Sequence, residues 1–384
     1  MPTNQNRLFA PRRPLSFTAA ISALFLSMAP FAQANPHILV DVNSGKVLDH
    51  EEAFRKWYPA SLTKLMTVYT VFRAIKAGQI SLDTPVAISK RAAAQPPAKM
   101  YFKPGQKLTL DSALKIMLIK SANDVAMAVG EAIGGTQEAF VTRMNAEAQQ
   151  LGMTDSHFIN PNGLPGKGQY TTARDLAILT VALRREFPQY AGYFALEGFT
   201  TGTKQVPNIN MLIGRFDGAD GMKTGFICAA GFNQIASATR NGRTLVSIVL
   251  GTDSLAARAD ASADLLENGF AGKYAGKETL GSLHPYGPGQ DQVSDISADI
   301  CNPKAAQVRS ETRDEAGRMK VMSPYIHEMD HPPQFVFAGI LQGQDAQPQT
   351  KQPQTKQPKT DKLASADANE IANVPIPLPR PTSF

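Results

Sequence analysis

The chain has 384 residues, with 39 Lys and Arg against 33 Asp and Glu for a formal net charge of +6, and 43% of its residues are hydrophobic. That length and composition suffice for one large core or two domains. So mild a positive balance leaves no electrostatic footprint for a nucleic acid, which excludes that class of partner.

At the N-terminus, Arg7, Arg12 and Arg13 precede the apolar run "LSFTAAISALFLSMAPFA", and Ala32-Gln33-Ala34 supplies a small-x-small cleavage pattern. Residues 1–34 therefore read as a signal peptide cut after Ala34, which directs the mature chain to the periplasm. The competing reading is an uncleaved membrane anchor, for which a run of about 18 residues lies at the short edge of spanning length. No other apolar run reaches that length, so the mature chain is expected to carry no membrane anchor.

Residues 36–272 read as a folded α/β body. "HILVDVNSGKVLDH" has two apolar runs around the turn signal Asn43-Ser44-Gly45, a hairpin pattern. Helical periodicity follows at 62–77, 110–133 and 136–151. After Gly221 the pattern changes to strands, with Asn241-Gly242 between two apolar-rich runs, a strong hairpin signal. A helical stretch at 255–268 closes the unit. Strands at both ends with helices between them predict one sheet in which the first and last segments meet, covered by helices.

Beyond residue 272 the composition shifts. Residues 273–341 form an appended segment whose placement the sequence leaves open, either packed on the body through the short run "FVFAGIL" or part of a small unit of its own. From Pro348 a five-residue repeat appears, "PQTKQ PQTKQ PKTDK", and residues 342–384 read as a disordered Pro-rich tail. Its "IPLPRPTSF" suits an extended conformation and a protein partner's groove.

Three short motifs carry the chemistry. In "YPASLTKLM", Ser61 and Lys64 are three residues apart where a helix begins, so they share a face, as a nucleophile and its base require. The same residues also suit an ordinary helix start, where Ser and Pro cap and Lys is solvated. "KSANDVA" gives Ser121 and Asn123, a hydroxyl and an amide two residues apart. "GMKTGF" gives Lys223, Thr224 and Gly225 at a strand start, a cation, a hydroxyl and a residue that clears room beside a strand edge. Each motif alone is common, but their order within one exported body is not.

That order resembles the penicilloyl-serine enzymes, above all the low-molecular-mass penicillin-binding proteins that act as serine-type D-alanyl-D-alanine carboxypeptidases. The resemblance covers residues 36–272 and extends to the wording "PASLTKLMT", "KSANDVAMAVGE", "NPNGLP", "TTARDLA" and "GMKTGF". It implies an α/β (α+β) fold of the β-lactamase/transpeptidase type, an antiparallel five-stranded sheet beside a helical subdomain, with the site in the groove between them. It implies catalytic roles for Ser61, Lys64 and Ser121, and substrate binding by Asn123, Lys223, Thr224 and Gly225, with the Phe226 backbone NH completing an oxyanion hole. Arg258 falls where related enzymes keep a carboxylate-binding Arg, unless it is a solvated Arg at a helix start. The implied partners are the peptidoglycan stem peptide and β-lactams as covalent inhibitors, with no cofactor.

Class A β-lactamases share these motifs but carry a deacylating Glu, and Thr154–Thr172 contains no Glu. A penicillin adduct is therefore expected to persist, which ranks β-lactamase activity below carboxypeptidase. A D,D-endopeptidase with the same residues and a non-catalytic peptidoglycan-binding scaffold remain as alternatives. The usual amphipathic C-terminal membrane helix of the family has no counterpart in the sequence.

Two further patterns carry less. His327-Glu328-Met329-Asp330-His331 matches a zinc-protease string, but Pro324, Pro332 and Pro333 deny it a helix, so no metal is expected. Cys228 reads as a small buried strand residue, and its pairing with Cys301 is left open.

Overall fold

The computed structural model describes residues 1–2, 35–311, 313 and 319–341, so the leader and the Pro-rich tail read from the sequence lie outside the described residues. The strands are β1 (His37–Asp41), β2 (Val47–Glu51), β3 (Pro85–Ala87), β4 (Lys107–Thr109), β5 (Gly198–Thr200), β6 (Gln205–Pro207), β7 (Ala219–Ile227), β8 (Gly231–Arg240), β9 (Arg243–Thr252) and β10 (Val336–Phe337). The helices are α1 (Thr63–Lys76), α2 (Lys90–Ala93), α3 (Leu110–Ile119), α4 (Asn123–Gly134), α5 (Gln137–Leu151), α6 (Ala173–Glu186), α7 (Leu255–Phe270), α8 (Ser297–Ile300) and α9 (Pro303–Glu311).

The main sheet runs β2-β1-β9-β8-β7, every neighbour antiparallel. The first strand pairs with the last long one, so the two ends of the body meet as the sequence predicts. Between β8 and β9, Asn241 (φ 51°) and Gly242 (φ 75°) both take positive φ, as a two-residue hairpin with the sheet's twist demands. Side chains alternate across the sheet. Ile38, Val40, Val246, Ile248 and Leu250 join the large helical core, whereas Leu39, Leu245 and Val249 pack with Ala259, Ala263 and Leu266 of α7. Both faces are thus covered and β7 is left as an edge.

Four of the long helices begin at side-chain caps. Thr109, Thr136, Thr172 and Ser254 accept the N–H of Ser112, Ala139, Asp175 and Ala257 at the starts of α3, α5, α6 and α7, each such cap being worth about 1 kcal/mol. α6 was not anticipated from the sequence. It lies against β1 and β9, buried from Ala173 to Leu183 apart from Arg174, and so reads as a nearly continuous apolar run rather than a stripe.

α1 is buried on every side. Leu65, Met66, Val68, Val71 and Phe72 are wholly inaccessible, and each such burial contributes about 1.5–3 kcal/mol. That packing anchors a helix which also carries a buried amine.

One helix expectation needs correction. The stretch 110–133 is not one helix: it breaks between α3 and α4, where Ser121 takes φ 64° and Ala122 is extended. A left-handed serine costs about 1–3 kcal/mol and persists only where the surroundings hold it. The "HEMDH" stretch is not helical, and its imidazoles go to different carboxylates, His327 to Asp217 and His331 to Glu197.

The segment after residue 272 returns over the body. Val47 donates its N–H to the Glu278 carbonyl at 2.9 Å, and the Tyr286 hydroxyl lies 2.6 Å from His50 Nδ1. Asp260 of α7 accepts the N–H groups of Met322 and Ser323 at 3.0 Å. The run "FVFAGIL" forms β10, parallel to β5, and Leu341 donates to the Lys107 carbonyl at 2.8 Å.

Cys228 is not a buried strand residue. It is exposed, in the turn after β7, and forms a disulfide with Cys301, which fastens the end of that edge strand to the α8 region.

Candidate active site

Four pieces of chain converge where the helical body meets edge strand β7. The first is the one-turn 3-10 segment Ala60–Leu62 that leads into α1 and carries Ser61, half-buried and so reachable. One turn on, the Lys64 side chain is fully inaccessible. Its Nζ lies 2.9 Å from Ser61 Oγ, 2.8 Å from Asn123 Oδ1 and 2.7 Å from the Asn162 carbonyl oxygen.

Burial, then the positive charge of Lys223, pulls the Lys64 pKa well below the usual lysine range, against a smaller opposing effect of Asp124. In its neutral form, which that shift favours, the amine has two hydrogens and one lone pair. Two of its three partners are carbonyl oxygens that can only accept. In that form the two acceptors take both hydrogens and the lone pair faces Ser61 Oγ.

The second piece is the break between α3 and α4. The left-handed turn at Ser121 directs its Oγ to Lys223 Nζ at 2.9 Å. Asn123 opens α4 and is 5% exposed. Its carboxamide oxygen is committed to Lys64 and its Nδ2 donates to the Pro96 carbonyl at 3.1 Å, so it positions the Lys64 amine.

The third piece is β7. Lys223, Thr224 and Gly225 sit in its middle rather than at its start. Lys223 is 1% exposed, and burial followed by the charge of Arg258 brings its pKa down to about 7. Arg258, on the first turn of α7, is 2% exposed and aims Nη1 at the carbonyls of Gly225 and Asn233, both at 3.4 Å. Burial lowers its pKa to about 9, still above neutrality, so the guanidinium stays charged. It lies beneath the strand rather than on a solvated helix start, and it acts on the groove through Lys223 and the β7 carbonyl. Phe226 is 42% exposed, its ring against Phe232 at 4.2 Å between centroids.

Sequence reasoning missed the fourth piece, the loop Asn160–Gly163. Its only signal was the wording "NPNGLP", to which no role attached. Asn162 contributes a backbone oxygen, which no side-chain pattern encodes. The Pro161 carbonyl accepts from Thr67 Oγ1 at 2.7 Å, and a Cβ on Gly163 would lie 1.8 Å from the Ala60 oxygen, so only glycine lets the loop reach the serine turn.

Known proteins resemble the chain in the same terms. A family model described as D-alanyl-D-alanine carboxypeptidase matches residues 25–254. D-alanyl-D-alanine carboxypeptidase DacC of Escherichia coli is 38% identical over 270 residues, 68% of this chain and 66% of that protein. DacA of the same organism is 35% identical over 288 residues, 69% of this chain and 72% of that protein. The solved structure of the D-alanyl-D-alanine carboxypeptidase DacD from Francisella tularensis aligns with TM-score 0.60 at 34% identity, over 62% of this chain and 70% of that one.

Proposed function

We propose a residue-level route for this protein from the premise that the chain belongs to the D-alanyl-D-alanine carboxypeptidase family and is a serine-type hydrolase of that class. Ser61 attacks the carbonyl of the penultimate D-alanine of a peptidoglycan stem peptide while neutral Lys64 takes its proton. The developing oxyanion is received by the backbone N–H groups of Ser61 and Phe226, and such donors are worth about 3 kcal/mol each. The peptide C–N bond breaks as the proton taken by Lys64 passes through Ser121 to the departing D-alanine amine. Lys223 supports Ser121 and, with Thr224, faces the terminal carboxylate, while Arg258 holds the strand and its field. Water then hydrolyses the ester on Ser61 and restores the proton balance.

The observation that carries this reading is the buried Lys64 Nζ, 2.9 Å from Ser61 Oγ and otherwise against two oxygens that can only accept. A β-lactam fits the same steps up to the ester. The loop that carries a deacylating Glu in class A β-lactamases has none here, and it sends a backbone carbonyl to Lys64 instead. The adduct therefore persists.

Intact mass recorded for an hour after adding benzylpenicillin, with Ser61→Ala as control, tests the route. A stable adduct absent from the variant is expected. No adduct on folded protein would overturn it and favour a non-catalytic peptidoglycan-binding role.

The relatives are bacterial D-alanyl-D-alanine carboxypeptidases, and no helix among the described residues is long and apolar enough to cross a membrane. Periplasmic export through cleavage after Ala34 belongs to the proposal. The Cys228–Cys301 disulfide supports it, since such bonds persist in oxidising compartments. Binding of a partner by the Pro-rich tail is likewise part of the proposal, on composition alone.

A further inference from the structure

We propose that Lys99 and Tyr101 form a subsite for the residue preceding the acyl D-alanine, one that takes an aliphatic side chain ending in a carboxylate. The inference deepens the reading above and rests on it.

The loop 95–101 is built into the site. Gln95 Oε1 accepts from Asn162 Nδ2 at 2.8 Å, the Pro96 carbonyl accepts from Asn123 Nδ2, and the Ala98 carbonyl accepts the Asn123 N–H at 2.8 Å. The two asparagines that contact Lys64 thus fix this loop beside the site.

Tyr101 stands out in that loop. Its φ is 65°, in the left-handed region that a bulky side chain rarely adopts, and yet it is 68% exposed. Burial of the ring therefore does not explain the strain. What holds the conformation is Asp124, fully buried, whose carboxylate accepts the N–H of Met100 at 2.9 Å, of Tyr101 at 3.0 Å and of Val125 at 2.9 Å. A non-glycine residue kept in a costly conformation with its ring in solvent is an arrangement suited to a ligand.

Lys99 supplies the charge. Its Nζ lies 5.0 Å from the Tyr101 ring centroid and donates to the Ala93 carbonyl at 2.9 Å. One of its three N–H donors is used by that bond, and the Asp124 carboxylate is occupied by backbone donors. The cation over the ring is thus available to an incoming anion. A stem peptide lying along edge strand β7 turns successive side chains to opposite faces. With the acyl D-alanine at Ser61, a preceding side chain turned toward this loop would lay its methylenes on the Tyr101 ring and its carboxylate at Lys99.

Two synthetic peptides test this, Nα-acetyl-Nε-acetyl-L-lysyl-D-alanyl-D-alanine and its Nε-succinyl counterpart, which ends in a carboxylate. Wild-type kcat/KM is expected to favour the succinyl peptide about fivefold at low salt and to lose that preference at high salt. Lys99→Gln brings the ratio close to one through KM. Tyr101→Gly lowers kcat/KM for both peptides through KM while raising Tm, because glycine relieves the positive φ. Equal wild-type kcat/KM for the two peptides, or a ratio unmoved in Lys99→Gln, overturns the subsite alone. Hydrolysis of neither peptide together with no Ser61 adduct overturns the parent reading and the subsite with it.

Discussion

A Cβ placed on Gly225 would lie 3.2 Å from the backbone nitrogen of Ser61 and 3.3 Å from that of Leu62. The glycine of the β7 motif therefore sets the gap between the edge strand and the nucleophile's turn, beyond leaving room for substrate. Gly225→Ala must push the two apart by a few tenths of an ångström. Benzylpenicillin acylation is expected to slow about tenfold or more, since small misplacements at a reacting centre are costly. Stability should change by only about 1 kcal/mol. Stopped-flow acylation beside a thermal melt separates the two, and unchanged acylation would show that the gap is not rate-determining.

Asn123→Asp keeps the shape of the side chain that receives a Lys64 hydrogen. A carboxylate 2.8 Å from Nζ would favour the charged amine and raise its pKa. The acid limb of the acylation rate is then expected to move to higher pH, with the neutral-pH rate falling about 10²-fold or more as the base is lost. A limb that stays in place would separate Lys64 from proton abstraction.

Lys223 gives a pH dependence of stability. Its folded pKa is about 7 against an ordinary 10.5. Between those values the unfolded chain holds a proton there that the folded chain does not, so raising the pH favours folding. Below about 7 both states are protonated and the folded state bears the full cost of the buried charge. The wild-type Tm should rise from pH 6.5 to pH 9 by more than that of Lys223→Met; parallel curves would contradict the buried cation.

The disulfide closes a loop of 73 residues in sequence separation, a span for which cross-links contribute about 2–4 kcal/mol. Reductant is expected to lower the Tm of the wild type by several degrees and to leave Cys228→Ser/Cys301→Ser unmoved. A wild-type melt insensitive to complete reduction would remove the bond from the stability of the fold.

The sheet was legible because its signals are local: apolar runs along β1, β8 and β9, and a turn dipeptide that demands positive φ. The side chains of the site were legible as residue types in order. The Asn162 oxygen was not, since any residue offers the same carbonyl. The break at Ser121 was hidden because its flanks are as apolar and helical as a single helix, and the strained serine is held by tertiary contacts. α6 was hidden for the opposite reason: burial on nearly all sides erases the stripe by which surface helices are recognised. The Cys228 pairing needed a fold that brings residues 228 and 301 together, which their spacing alone does not give.

Three basic side chains, Lys64, Lys223 and Arg258, are buried here, and in the proposed route the substrate's terminal carboxylate brings a further negative charge to this cluster. With Lys223 poised near pH 7, a ligand carboxylate that settles beside it draws a proton from solvent. Binding of a stem peptide to Ser61→Ala is then a proton-uptake reaction. Its calorimetric heat should depend on the buffer's own ionisation enthalpy, and the slope of that dependence would count the protons taken up.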